Sequence, residues 1–194
     1  MRVAWVSLRG LEVVARWMRA ILALTVAIRP ILHYPDKRLR DPGLPVETFD
    51  DELQALVDDM AETMYAAPGV GLAATQLGIP LRLFIIDVAV DDDAASDLRV
   101  FINPELVELV GTTSFSEGCL SFPGAREDIN RAEKVRVKAF DRHGQPFEVL
   151  ADGLLAIAVQ HENDHLDGKL MIDRLSILRR RLLHRAMLKH GNGD

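Results

Sequence analysis

Residues 153–166 read GLLAIAVQHENDHL, an apolar run that passes straight into His161-Glu162-Asn163-Asp164-His165. The pattern is helical, and Leu154, Leu155, Ile157 and Val159 make most faces apolar, so this helix is expected to be buried. Two histidines four residues apart share one helix face about a turn apart, where both imidazoles can reach one metal ion. Glu162 projects about 100° round the helix from His161, which suits a base acting on water better than a further ligand. A chance pair of surface histidines is the alternative. The buried setting weighs against it, because a charged turn ending an apolar helix is costly unless something compensates it.

A catalytic site of this kind needs a third protein ligand and an open position for water. Downstream the chain offers Asp167, Asp173, His184 and His190, but the H-E-x-x-H-x-x-G-x-x-H spacing fails at Met171. Upstream stands Cys119, the only cysteine, in Ser116-Glu117-Gly118-Cys119-Leu120-Ser121. A lone cysteine is most often a small buried hydrophobe; its glycine and polar neighbours suggest an exposed turn instead. A third segment, Gly69-Val70-Gly71-Leu72-Ala73-Ala74-Thr75-Gln76, matches G-x-G-x-x-A, with Asp87 near the usual acidic spacing. A helix rather than a strand precedes it and no βαβ unit surrounds it, so dinucleotide binding is rejected. It reads better as a tight glycine turn where backbone approaches a ligand, with Gln76 offering an amide donor.

Outward from these segments, Leu53, Leu56, Val57, Met60 and Met64 recur at helical spacing, predicting an amphipathic helix over Asp50–Ala66 that ends at Pro68-Gly69. Leu81–Val88 is apolar and β-branched, a buried strand; Asp91-Asp92-Asp93 follows as a solvated loop. Arg99–Asn103 and Leu106–Thr113 read as two strands separated by Pro104. Glu133–Asp141 and Pro146–Leu150 form a hairpin across Arg142-His143-Gly144-Gln145. Asp36–Pro45 is turn-rich, hence loop or extended chain. Leu175–Leu188 is a second apolar-and-basic helix. Strands with few intervening helices, then two helices, indicate an α+β fold. Its mostly antiparallel strands are expected to pack around the central metal-binding helix, with a C-terminal helix beyond.

The 194 residues suit one domain with a sizeable core, and 48% hydrophobic against 27% charged residues describes a globular chain. One cysteine excludes a disulfide framework and multi-cysteine zinc modules. The net charge of −6 argues against coating nucleic acid through general basicity. It is unevenly spread. Residues 1–29 hold five Arg against one Glu, and residues 174–194 hold five Arg and one Lys against one Asp. Residues 30–173 set twelve basic against 27 acidic side chains, a net −15. The apolar run Ala20–Ile28 is nine residues, too short to cross a hydrocarbon core. Residues 1–28 are therefore expected to be an N-terminal extension: a leader, a transit-like segment or a misassigned start. Residues 29–173 are expected to form the catalytic domain and residues 174–194 a basic helix and tail.

Taken together, GVGLAATQ at 69–76, EGCLS at 117–121 and QHENDHLDG at 160–168 resemble the three motifs of peptide deformylases, in that family's order and at similar separations. The likeness extends from Ile31 to about Leu175, through His33-Tyr34-Pro35-Asp36, Leu39-Arg40 and Ala151–Ala156. The helical basic C-terminus is similar to the bacterial type. Two departures are Ala158, where several relatives carry a larger residue, and Met1–Ala27, which has no family counterpart.

The resemblance implies a hydrolase that removes the N-formyl group from formylmethionine at the start of new polypeptides. It implies Cys119, His161 and His165 as ligands of one divalent metal, with ferrous iron suggested by the family and Zn²⁺, Ni²⁺ or Co²⁺ compatible with the donors. Glu162 is then the base, and the Gln76 amide with the Leu120 backbone N–H holds the oxyanion. Gly71 would bind the substrate backbone, Val70, Leu154, Ile157 and Ala158 would line the methionine pocket, and Arg126 would steady the peptide. The expected partners are N-formylmethionyl nascent chains, with ribosomal RNA contacted transiently through Arg174, Arg179, Arg180, Arg181, Arg185 and Lys189; a solvated helix face is the plain alternative. Neither DNA nor a membrane is expected, and the protein is expected to be a monomer. Its place is the bacterial cytoplasm, unless residues 1–28 direct import into an organelle. A metallopeptidase using the same helix and a fold relative without catalysis are the rival readings.

Overall fold

The computed structural model describes residues 26–89 and 96–190. Residues 1–25, which hold most of the expected N-terminal extension, the Asp91–Asp93 run and the last four residues lie outside that range. Helix α1 (Asp51–Ala66) starts where the Asp50 carboxylate accepts the Leu53 N–H at 3.0 Å. It buries Leu53, Leu56, Val57, Met60 and Met64. Strand β1 (Gly71–Ala73), a 3₁₀ turn (Ala74–Leu77) and β2 (Leu83–Ile86) follow, then β3 (Arg99–Val110), β4 (Thr113–Cys119), β5 (Phe122–Arg131), β6 (Lys134–Phe140) and β7 (Pro146–Asp152). Helix α2 (Gly153–Leu166), a 3₁₀ turn (Met171–Arg174) and α3 (Ile177–His190) complete the order. All strand pairs are antiparallel: one sheet runs β1-β2-β3-β6-β7 and a separate hairpin pairs β4 with β5.

The unbroken apolar run LFII of β2 reflects burial on both faces. Phe84 and Ile86 join Ala156, Ala158, Val159 and Leu166 of α2 in one core, while Leu83 and Ile85 join the α1 residues in a second. The large sheet is thus covered by α1 on one side and α2 on the other. A third core gathers Phe122 and Ile129 of β5, Met171 and Ile172, and Leu183 and Met187 of α3. Helix α2 stops at Gly168, whose φ of +68° any side chain would strain and whose added Cβ would lie 2.4 Å from the Arg40 carbonyl oxygen.

Four expectations need correction. Pro104 does not separate two strands: β3 runs through it, because a register shift between Ile102 and Glu105 places the proline in a bulge. Residues 113–131, read only as a turn around Cys119, form the β4–β5 hairpin. Gly69–Gln76, expected as a tight glycine turn, instead holds a short strand that runs into a 3₁₀ turn, and Gly71–Ala73 pairs with Ile86–Phe84. Within Asp36–Pro45, Lys37–Arg40 forms a 3₁₀ turn capped by the Asp36 carboxylate.

Candidate active site

Three segments distant in sequence meet at one cavity. The β4–β5 hairpin delivers Cys119 at the end of β4, α2 delivers His161, Glu162 and His165, and β1 with its 3₁₀ turn delivers Gly71 and Gln76. Cys119, His161 and His165 each offer one donor atom, all within 4.8 Å of one another, a group able to hold a metal ion. Cys119 Sγ lies 3.3 Å from His165 Nε2, and the two imidazole centroids are 5.1 Å apart.

His161 is oriented from behind. Burial opposes a charge on Glu117, but hydrogen bonds from Arg131 and His161 outweigh it and hold the carboxyl below its usual range. The ionised carboxylate therefore accepts the His161 Nδ1–H at 2.8 Å, which turns Nε2 toward the donor group. Arg131 spans Glu117 and Asp164, and Arg174 meets Asp164 from the other side. Burial works against charge on both imidazoles. The Cys119 sulfur and Glu117 nevertheless raise His161 well above the ordinary range. Burial and that neighbouring charge drop His165 well below it.

Gln76 is 1% exposed and its amide is fixed at both ends. Oε1 accepts the Ala73 N–H at 2.9 Å; Nε2 donates to Ser121 Oγ at 3.0 Å and sits 3.7 Å from Cys119 Sγ. The Glu162 carboxyl is lifted by burial to about 7, and its Oε2 has no partner among the described residues. Gly71 makes room for it, since a Cβ there would sit 2.5 Å from Glu162 Oε1.

The cavity measures about 720 Å³. Val70, Gly71, Gln76, Cys119 and Leu120 line one part, and Leu154, Ile157, Ala158, His161 and Glu162 another. Arg126 lines the wall on β5, its Nη2 donating to the Ser116 carbonyl at 2.7 Å. His165, 1% exposed, does not line the cavity and reaches Cys119 from the buried side of α2. The residues that the motif resemblance marked for chemistry thus line the cavity, except His165, which is buried outside its lining. The other candidates for a third ligand are engaged elsewhere: Asp167 with Arg82, Asp173 with Arg40, and His184 with Tyr34. The side chain of His190 is outside the described residues. Sequence reasoning missed Glu117, Arg131, Asp164 and Ser121. Glu117 was accessible, because a strand places residues two apart on one face with Cys119; the role of Arg131 follows only from the hairpin.

Residues 28–181 match the sequence profile of the family described as polypeptide deformylase. The chain belongs to the polypeptide deformylase family. It is a metal-dependent hydrolase that removes the N-formyl group from the formylmethionine of newly synthesised polypeptides. It is 51% identical to a peptide deformylase of Azotobacter vinelandii over 165 residues, 84% of this chain and 96% of the relative. A crystal structure of a peptide deformylase from Legionella pneumophila superposes with a TM-score of 0.80 at 52% identity, covering 86% of this chain and 96% of that one. A peptide deformylase from Synechococcus elongatus, solved with actinonin, gives 0.76 at 40% identity, covering 84% and 88%.

Proposed function

We propose that Cys119, His161 and His165 hold the catalytic cation and that Glu162 is the base of the deformylation. The observation that carries this reading is the meeting of one thiol sulfur and two imidazole nitrogens beside a buried carboxylate oxygen without a partner among the described residues. One thiolate and two imidazoles suit ferrous iron, the ion we favour from the family resemblance, and equally Zn²⁺, Co²⁺ or Ni²⁺. When bound, the cation supplies Lewis acidity, which brings the pKa of water from about 15.7 toward about 7.

The chain's own groups do the rest. Glu162 takes the proton of the attacking water and passes it to the leaving amine as formate departs. Gln76 Nε2, already aimed into the site by its contacts with Ala73 and Ser121, donates to the oxyanion that forms on the formyl carbon, together with the Leu120 backbone N–H. Strand β1 is an edge of its sheet, paired only with β2, so Gly71 can add the substrate backbone as a further strand. Val70, Leu154, Ile157 and Ala158 receive the methionine side chain, with the small Ala158 widening the pocket, and Arg126 steadies the peptide. Cys119→Ser tests the ligand set: anaerobically purified wild type should carry about one cation per chain and the variant should bind it far more weakly. Unchanged stoichiometry and affinity would remove Cys119 from the set.

The catalytic unit is assigned to residues 29–173, as a monomer in the bacterial cytoplasm. No described helix is long and apolar enough to cross a membrane. Ribosomal RNA contact is assigned to the outer face of α3, where Arg181, Arg185 and Lys189 are exposed. The remaining basic residues are tied inward: Arg174 to Asp164, Arg179 to Glu127, and Arg180 to the Ile172 and Asp173 carbonyls.

A further inference from the structure

The charges buried behind His161 form a chain that reaches the surface. Arg131 divides its guanidinium between two acids. Nε and Nη2 donate to the two Glu117 oxygens at 2.7 and 2.9 Å, while Nη1 donates to Asp164 Oδ2 and, at 3.3 Å, to the Gln160 carbonyl. The Arg131, Glu117 and Asp164 side chains are 1%, 3% and 8% exposed. Two carboxylates and one guanidinium would leave a negative charge uncompensated in a space that water hardly reaches. Arg174 removes that imbalance. From the 3₁₀ turn after α2, its Nε and Nη2 donate to Asp164 Oδ2 and Oδ1, both at 2.6 Å, as a two-point fork. Its side chain is 38% exposed, the most accessible of the four.

We propose that Arg174 is a positioning residue of the cation site, acting through Asp164 and Arg131 on Glu117 and thereby on the His161 ring. The inference rests on the assignment of Cys119, His161 and His165 as ligands. With Asp164 satisfied by Arg174, Arg131 keeps both of its donors on Glu117, and Glu117 keeps His161 Nδ1–H. Without Arg174, Asp164 competes for the Arg131 guanidinium, the hold on Glu117 loosens, and the ring that points Nε2 at the cation is free to tilt. The C-terminal segment therefore contributes to the site before α3 begins. Arg180 provides a control, since it anchors the same segment through the Ile172 and Asp173 carbonyls without touching Asp164.

The test uses full-length protein loaded anaerobically with cobalt(II): wild type, Arg174→Ala, Arg174→Lys, Arg174→Ala with Asp164→Asn, and Arg180→Ala. The readouts are the sulfur-to-cobalt charge-transfer band, the ligand-field bands, the rate of cobalt loss to a chelator, and kcat and KM on a formylated peptide. Arg174→Ala should lose cobalt about tenfold faster, at the lower end for groups behind a ligand. Its ligand-field bands should shift and its kcat fall with KM unchanged. Adding Asp164→Asn, which removes the uncompensated charge, should return the loss rate toward wild type. Arg174→Lys should show a smaller acceleration in the same direction, which keeps the test decisive if the alanine variant does not fold. Arg180→Ala should release cobalt like wild type. Wild-type release from both Arg174 variants, or an equal acceleration in Arg180→Ala, would overturn the proposal while leaving the ligand assignment standing. A wild type without the thiolate band would overturn both.

Discussion

Glu162 and Gly71 are one unit at the residue scale. The carboxylate lies where a Cβ on Gly71 would be 2.5 Å from Oε1, so Gly71→Ala should push it out of line. The expected outcome is a loss of roughly 10²-fold or more in kcat, the scale of a misplaced general base, with cation content unchanged. Steady-state formate release beside elemental analysis checks it, and wild-type turnover would contradict it. Gln76→Ala removes a fixed oxyanion donor and should lower kcat by about 10²–10³-fold with a smaller change in KM. Equal loss in both constants would point to substrate binding instead. The histidines and Glu162 were legible in the sequence because their spacing alone fixes their directions on a helix. Cys119 and Gln76 stood out as a lone thiol among polar neighbours and an amide after a glycine turn, but their roles came from the motif resemblance and their geometry was not legible. Arg131 was illegible, since nothing local marks an arginine as buried; its burial follows from a hairpin closing onto α2.

At the scale of elements, α1 and α2 were legible from apolar spacing, and β2 from its continuous apolar run. The β4–β5 hairpin was not. Ser114, Ser116, Gly118, Arg126 and Asp128 face solvent, and the inward positions include Glu117, so the stretch lacks apolar alternation. Its inward polar residues serve the site rather than a core. Pro104 misled for a related reason: a proline argues against a continuous strand except at a bulge, which is where β3 carries it. Helix α3 joins both kinds of surface, with Leu183 and Met187 buried and Arg181, Arg185 and Lys189 outside. Deleting everything after Ile172 would remove Arg174, Leu175, Leu183 and Met187 along with the basic face. Reversing Arg181, Arg185 and Lys189 to Glu isolates the charge. That variant should remove the formyl group from small peptides at wild-type rate and lose most salt-sensitive co-sedimentation with ribosomes. Undiminished co-sedimentation would assign the face to solvent alone.

For the whole molecule, three cores are held together by contacts between segments far apart in the chain, and the Arg40–Asp173 pair joins the first 3₁₀ turn to the last. Burial raises the Asp173 carboxyl, but hydrogen bonds from Arg40 and the Leu170 N–H, with Arg180 nearby, bring it below its ordinary value. A depressed folded-state pKa means the contribution is present above the unfolded carboxylate value of about 3.9 and lost as pH falls through the lower folded value. Both side chains are partly exposed, so the pair is worth at most about 1 kcal/mol. Asp173→Asn should therefore lower Tm by no more than about 2–4 °C at pH 7, with the difference from wild type shrinking below about pH 4. A gap that widened in acid would contradict the sign. The proposed chemistry depends above all on Glu162 moving the proton at a site formed by Cys119, His161 and His165. Formate release from an N-formylmethionyl peptide by anaerobically purified Glu162→Ala, with its cation content measured on the same sample, tests it most directly. A full cation complement with turnover reduced by about 10²–10⁴-fold is expected; full turnover with the cation in place would take the proton transfer away from Glu162.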